Sequence, residues 1–321
     1  MKQRYASLLV AAALTAPMAT AFADTNWPTR TVQVVVPANP GGDTDFNART
    51  MAKYFERITG RSMVITNMAG GGGTIATTHV RDAAADGNVM LFAHTGQLIV
   101  NEVSGLIDYS FEDYALCCIP GVDKGAVFVA GKRAGVSAAD ELIAKAKGNP
   151  GSVIYGTELG GFSHLQGLIF ENLAGIKLRF VDTGPVADRI AWMLGGRIDI
   201  GAFSYGAIQD YASTGQMTVL GQPNAERNPL LAEFPTFREA GVDFVMDKPY
   251  IIAFPKGTDP AIVARMASVM KQITELPEYA KDLEQGFKQP VSYFDTEAAT
   301  AHLRAIREDY MQYRDLLRNA R

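Results

Sequence analysis

Cysteine is nearly absent from this chain of 321 residues: Cys117 and Cys118 are the two it carries, and they are adjacent. Neighbouring cysteines rarely bridge, because the link strains the peptide between them. They are therefore expected as buried strand residues, and the fold must rest on its core rather than on a disulfide framework. Histidine is almost as scarce. His79, His94, His164 and His302 are scattered, and none has a second His or Cys at ligand spacing, so no metal is expected. There is no Walker A sequence and no G-x-S-x-G elbow, which leaves nucleotide hydrolysis and serine-elbow chemistry without their machinery. The adjacent pair Ser163-His164 is no substitute for a Ser–His dyad, since neighbouring side chains point apart. No catalytic residue is assigned. A net charge of −4 with 20% charged residues gives no footing for nucleic acid or an anionic membrane. After the first residues no run of about 18 apolar residues occurs, so the bulk of the chain is expected to be soluble.

What is present begins with a leader. Lys2 and Arg4 form a basic head, an apolar run follows from Leu8 to Ala19, and Ala21-Phe22-Ala23 is a small-x-small cleavage site. Residues 1–23 are expected to be a signal peptide cleaved after Ala23, placing a chain that starts at Asp24 in the periplasm. No Cys sits at the cleavage site, which argues against a lipid anchor. The remaining chain, about 300 residues, suffices for one large or two medium domains.

Its pattern is strand, Gly-rich turn, helix, repeated. Thr31–Val36 is a β-branched run, the mark of a strand buried on both faces. A helix with Ala48, Met51, Ala52 and Phe55 inward follows, stopped by Gly60. Met63–Thr66 and Val89–Ala93 are further strands, with a helix from Thr74 between them. A second series has strands near Ala126–Val129, Val153–Tyr155, Leu178–Phe180 and Ile198–Ala202. Its helices include one opened by a capping box at Ser137–Asp140, and one capped by Ser163 with Leu165, Leu168, Ile169 and Leu173 inward. Val245–Phe254 reads as a strand returning to the first series, Pro260 opens a helix, and a long helix spans about 297–317. Such alternation predicts an α/β fold with mainly parallel sheets. The absence of a low-complexity linker fits two lobes joined by crossing strands.

In such sheets ligands sit beyond the carboxyl ends of strands, near helix N-termini. Those ends here are rich in Gly, Thr, Ser and Asn. Glycines let the backbone approach a ligand, and free N–H groups attract an anion. Three loops, Pro37–Asp45, Asn67–Thr74 and Gly156–His164, converge on the capture of a small carboxylate. Gly71-Gly72-Gly73-Thr74-Ile75-Ala76 matches a loose dinucleotide fingerprint, but the next strand ends in His94-Thr95 rather than the acid that would hold a ribose, so no cofactor is expected. Asp43, Asp45, Asp182 and Glu158 are acids at loop ends, suited to acid–base work or, for Asp43 and Asp45, to helix capping. His94 and His164 lie at loop mouths. Tyr205 and Tyr250 either close over a ligand or pack. Lys248 and Arg189 lie near the expected cleft as sources of a cation.

At these same loops the chain resembles the solute-binding receptors of the tripartite tricarboxylate transporter family, the Bug-type periplasmic proteins. The resemblance is carried by Pro37-Ala38-Asn39-Pro40-Gly41-Gly42-Asp43-Thr44-Asp45, by Asn67-Met68-Ala69-Gly70-Gly71-Gly72-Gly73, and by Ala83-Ala84-Ala85-Asp86-Gly87. It continues through Gly160-Gly161-Phe162-Ser163-His164-Leu165, Leu194-Gly195-Gly196-Arg197-Ile198-Asp199 and Pro235-Thr236-Phe237-Arg238-Glu239-Ala240-Gly241. It implies a two-lobed Venus flytrap of type II, each lobe a doubly wound, mostly parallel sheet flanked by helices, with two crossing strands. Lobe 1 is then 24–123 plus 249–321, and lobe 2 is 124–248. Carried over, Asn39, Gly42, Thr44, Gly72, Thr74, Thr95, Ser163, Asp182 and Thr183 form the pocket. Ala38, Asp43, His94, Glu158, His164, Phe203, Tyr205 and Tyr250 complete the ligand-binding set.

The chain departs from the family's usual pattern at Val181-Asp182-Thr183-Gly184, at Ala202-Phe203-Ser204, at His94-Thr95-Gly96, and in a shorter Gly156–His164 loop. The class of ligand therefore transfers better than its identity: di-, tri- and aromatic carboxylates stay open. The resemblance implies a monomer that closes on its ligand and delivers it to the membrane components of a tripartite tricarboxylate transporter. A receptor feeding a membrane sensor kinase is the alternative. An exported hydrolase or lyase using Asp182, His94 or Glu158 is a further one.

Overall fold

The computed structural model describes residues 25–319, so the expected leader, residues 1–23, lies outside the described residues. The strands are β1 (Val32–Val36), β2 (Met63–Asn67), β3 (Val89–His94), β4 (Tyr114–Cys118), β5 (Ala126–Gly131), β6 (Val153–Thr157), β7 (Leu178–Asp182), β8 (Ile200–Ser204), β9 (Met217–Gly221) and β10 (Tyr250–Pro255). The helices are α1 (Asp43–Thr59), α2 (Thr74–Arg81), α3 (Asn101–Ser104), α4 (Ala139–Gly148), α5 (Phe162–Ala174), α6 (Val186–Leu194), α7 (Gln209–Ser213), α8 (Pro260–Thr274), α9 (Pro277–Phe287), α10 (Thr296–Met311) and α11 (Arg314–Asn319).

The strands form two five-stranded sheets, β2-β1-β3-β10-β4 and β7-β6-β8-β5-β9. Each is parallel except at its fourth strand, β10 in the first and β5 in the second, which run antiparallel to both neighbours. Those two strands follow the passages between sheets, so each lobe receives its odd strand from the other. The expectation of two α/β lobes with crossing strands is met. Val32, Val34, Val35 and Val36 are fully buried, as a strand covered on both faces by helices requires. Each contributes about 1.5–3 kcal/mol. Cys117 and Cys118 are buried in β4 as free thiols. Among the described residues no helix is long and apolar enough to cross a membrane.

Register places the carboxyl ends of the parallel strands on one edge of each sheet. Val36 pairs with Asn67, and Thr157 with Asp182. The antiparallel strands begin at that same edge, with Tyr250 opposite His94 and Ala126 opposite Ser204.

Several local expectations are corrected. The returning strand starts at Tyr250, not Val245, because Pro249 has no N–H to donate and holds only a bridge to Val122. The last long helix breaks into α10 and α11 where Tyr313 tightens its bond to the Tyr310 carbonyl. Leu173 is 43% exposed, since it lies in the last turn of α5. Ser137 does not cap α4; its N–H and hydroxyl both go to the Glu141 carboxylate. Ser163 and Asp43 lie inside the first turns of α5 and α1, whose N-caps are Gly161 and Gly42.

Candidate functional site

The two strand-end edges face each other, and the chain crosses between them at 119–125 and 247–250. His94, at the end of β3, meets Phe162, at the start of α5, edge to face at 5.6 Å.

At the crossing, one buried network joins both lobes. Lys248 Nζ lies 2.6 Å from Asp43 Oδ2, 3.2 Å from Asp123 Oδ2 and 3.5 Å from Ser204 Oγ. Tyr250 OH donates to Asp43 Oδ2 at 2.7 Å, and Ser204 Oγ donates to Asp123 Oδ2 at 2.5 Å. Gln289 Nε2 donates to Tyr250 OH at 3.0 Å and to Asp123 Oδ1 at 3.2 Å, while its Oε1 accepts from Asn47 Nδ2 at 2.8 Å. Burial works against ionisation of both Lys248 and Asp43. Their mutual attraction wins: Asp43 is held well below the ordinary carboxylate range, and Lys248, with Asp123 also beside it, is raised.

Beside this network the backbone turns through His94 and Thr95. The His94 Nδ1 accepts the Gly96 N–H at 2.9 Å. Burial, then the charge of Lys248, pushes its imidazole down to about 3, so it is neutral at neutral pH. Thr95 is fully buried, its N–H bonds the Pro249 carbonyl at 3.3 Å, and its Oγ1 has no partner.

The remaining strand-end candidates belong to the second lobe. Ser163 Oγ bonds Thr157 Oγ1 at 2.8 Å and accepts the Glu158 N–H at 3.3 Å, pinning the β6–α5 loop. Thr183 Oγ1 donates to the Thr157 carbonyl at 3.1 Å. Glu158 is half-buried and its carboxyl is raised by that burial. Arg189 is buried, with its guanidinium over the Phe203 ring at 5.6 Å.

The other candidates have local contacts of their own. Ala38 faces the core, and its carbonyl accepts from Asn67 Nδ2 at 3.0 Å. Asn39 and Asp182 are exposed, and Asp182 Oδ1 takes the Gly184 N–H at 3.1 Å as a turn residue does. Thr44 is buried behind Gly42 in the first turn of α1, where Asp45 takes the Gly41 N–H at 2.9 Å. The Gly72 carbonyl accepts from Asn101 Nδ2 at 2.8 Å, and Thr74 lines a groove with Tyr109, Arg314 and Arg318. The glycine run there is obligatory: Gly70–Gly73 have φ of 117, 58, 64 and 91°, and a Cβ on Gly73 would meet Gln97 Cγ at 2.5 Å. His164 is fully buried under its loop, taking the Gly160 N–H at 3.1 Å and meeting Phe180 edge to face at 5.0 Å. Tyr205 packs on Phe234 at 5.5 Å.

Sequence reasoning missed Asp123, Ser204, Gln289 and Asn47, which complete the network. They lie on four segments far apart in sequence, with no spacing to betray them. Among the described residues no group of three or more His, Cys, Asp or Glu is placed to hold a metal ion.

Comparison with known proteins bears on the family and the fold. Residues 47–314 match the family described as Tripartite tricarboxylate transporter family receptor. The chain is 29% identical over 260 residues to Protein BugT of Bordetella pertussis, covering 79% of this chain and 78% of that one. Among solved structures it is similar to Rpa4515 of R. palustris with adipate, at TM-score 0.82 and 24% identity, over 91% of this chain and 98% of that chain. It is also similar to MatC from Rhodopseudomonas palustris with bound malate, at TM-score 0.79 and 22% identity, over 91% of this chain and all (100%) of the other. These likenesses agree with the two-lobed fold. The chain belongs to the tripartite tricarboxylate transporter family of receptors, and it is a solute-binding protein, not an enzyme.

Proposed function

We propose that this receptor works in the periplasm after removal of residues 1–23, and captures a small organic carboxylate in the cleft between its lobes. It closes as a monomer about the crossing segments, with lobe 1 as 24–123 plus 249–321 and lobe 2 as 124–248. The closed form delivers the ligand to the membrane components of a tripartite tricarboxylate transporter. Binding shifts an open–closed equilibrium and makes or breaks no bond.

The observation that carries this reading is Thr95. Its hydroxyl is fully buried at the carboxyl end of β3 and has no partner. A buried hydroxyl left unpaired costs free energy, and an acceptor or donor oxygen on a ligand in the cleft removes that cost. The similar solved structures with adipate and with bound malate support a carboxylate as that ligand.

A thermal-shift screen of the mature chain against mono-, di-, tri- and aromatic carboxylates tests it. A ligand at about 100 times its Kd adds about 2.7 kcal/mol and raises Tm by a few degrees. No rise with any carboxylate would sink the reading. The transport half is tested in cells: deletion of the gene should abolish uptake of the acid that the screen identifies, and unchanged uptake would refute it.

A further inference from the structure

Two cations are buried at the cleft, and they are compensated differently. Lys248 has two carboxylates within 3.2 Å. Arg189, 4% exposed in the first half of α6, has none as an ion-pair partner among the described residues; Glu158 and Asp182 act on it only through space. An arginine stays protonated in a protein, so its burial calls for an anion or a full set of acceptors. Its acceptors are incomplete. Nη1 donates to the Ala202 carbonyl at 3.0 Å, Nη2 reaches the Gly184 carbonyl at only 3.4 Å, and Nε has no partner. The side of the fork made by Nε and Nη2 is the side that takes a carboxylate in two parallel hydrogen bonds.

The position of the guanidinium fits a ligand group. Ala202 is near the end of β8, Gly184 follows β7 and Glu158 follows β6. Arg189 therefore sits at the carboxyl ends of three neighbouring parallel strands of the second sheet. Glu158 offers a weak internal counter-charge, because burial favours its neutral form.

We propose that Arg189 reads a second acidic group, so that the preferred ligand is a small dicarboxylate spanning from the loops of the first lobe to the Nε/Nη2 edge of this guanidinium. The proposal rests on the reading of the cleft as a carboxylate site.

The test is calorimetric titration with succinate, glutarate and adipate and with the monomethyl ester of each. The wild-type protein should bind one diacid at least about ten-fold more tightly than its monoester, the scale of one charged hydrogen-bonded group. Arg189→Met should lower the diacid to the level of the monoester while leaving monoester affinity unchanged. Arg189→Lys, which keeps the charge without the fork, should fall between them. Equal wild-type affinity for diacid and monoester overturns this proposal and leaves the carboxylate reading intact. Equal loss of both ligands in a folded Arg189→Met protein also overturns it, by showing a merely structural role. Should that variant fail to fold, the wild-type and Arg189→Lys comparisons still decide. No binding of any acid or ester by the wild type overturns the parent reading, and this proposal with it.

Discussion

Lys248 Nζ and Asp43 Oδ2 lie 2.6 Å apart, both residues 9% exposed, and join the segment returning from the second lobe to the first turn of α1. The ammonium also serves Asp123 on the other crossing segment. One cation thus neutralises acids from two segments where the chain passes between the sheets. A buried pair of this kind need not add net stability, but removing one member exposes the cost of the other.

Lys248→Met should therefore destabilise the protein by about 3–5 kcal/mol, because it strands two buried carboxylates. Asp43→Asn should cost less, since Lys248 keeps Asp123. Urea denaturation of the ligand-free proteins measures both. Lys248 is not the centre of this network if Lys248→Met costs no more than Asp43→Asn.

Acid sensitivity should begin well above the carboxylate range. His94 titrates near 6.5 when unfolded and is pushed down to about 3 when folded. Between those values the unfolded chain binds a proton that the folded one does not, so stability rises with pH and is lost as pH falls from 6.5 toward 3. Asp43, lowered in the fold, adds a further loss as pH falls through its unfolded value of 3.8. Glu158, raised by burial, acts in the opposite sense. His94→Gln isolates the first effect, its amide oxygen still able to accept the Gly96 N–H. Its Tm should fall less than that of the wild type between pH 7 and pH 4.5, by up to about 1.4 kcal/mol per pH unit in stability. Parallel curves would remove His94 as the cause.

Packing between α9 and the turn after β8 leaves no room at Gly206. A Cβ there would lie 2.6 Å from the Gly286 carbonyl oxygen and 2.7 Å from Phe287 Cα, both backbone atoms that cannot rotate away. Gly206→Ala should cost about 1–3 kcal/mol. An unchanged denaturation midpoint would show that α9 and the turn after β8 are not held this closely.

How far the sequence reached follows from what kind of signal each feature emits. The strands of β1 and β3 announce themselves through β-branched and apolar runs, and α1 through its spacing and Gly60, which ends it at φ 68°. The helix break at Tyr313 has no such mark, because nothing there is Gly or Pro. For the site, strand-end loops locate the cleft without saying where a side chain turns. Asp43 and Asp45 look alike in sequence as helix-start acids. In the fold Asp45 goes back to the Gly41 N–H, and Asp43 goes across to Lys248. That difference is set by Lys248, some two hundred residues away, and no local pattern encodes it. Ser163 and His164 read in sequence as the end of a loop; in the fold they lie in the first turn of α5, and their hydrogen bonds run back to Thr157 and Gly160, a matter of tertiary packing.

Thr95 offers the sharpest separation of stability from binding. Its Oγ1 is buried without a partner, so the ligand-free protein bears the cost of desolvating a hydroxyl that returns nothing. Valine has nearly the same shape and no such group. Thr95→Val should therefore leave the empty receptor as stable as wild type or up to about 1 kcal/mol more stable, where most buried polar-to-apolar changes destabilise. The bound state should move the other way. A ligand oxygen that pairs with this hydroxyl loses its partner, so affinity for the carboxylate should fall by about ten-fold. Tm of the free protein and Kd by calorimetry, measured on the same preparation, test both halves. A lower Tm with unchanged Kd would mean that the hydroxyl supports the fold rather than the ligand, and would remove Thr95 from the binding site.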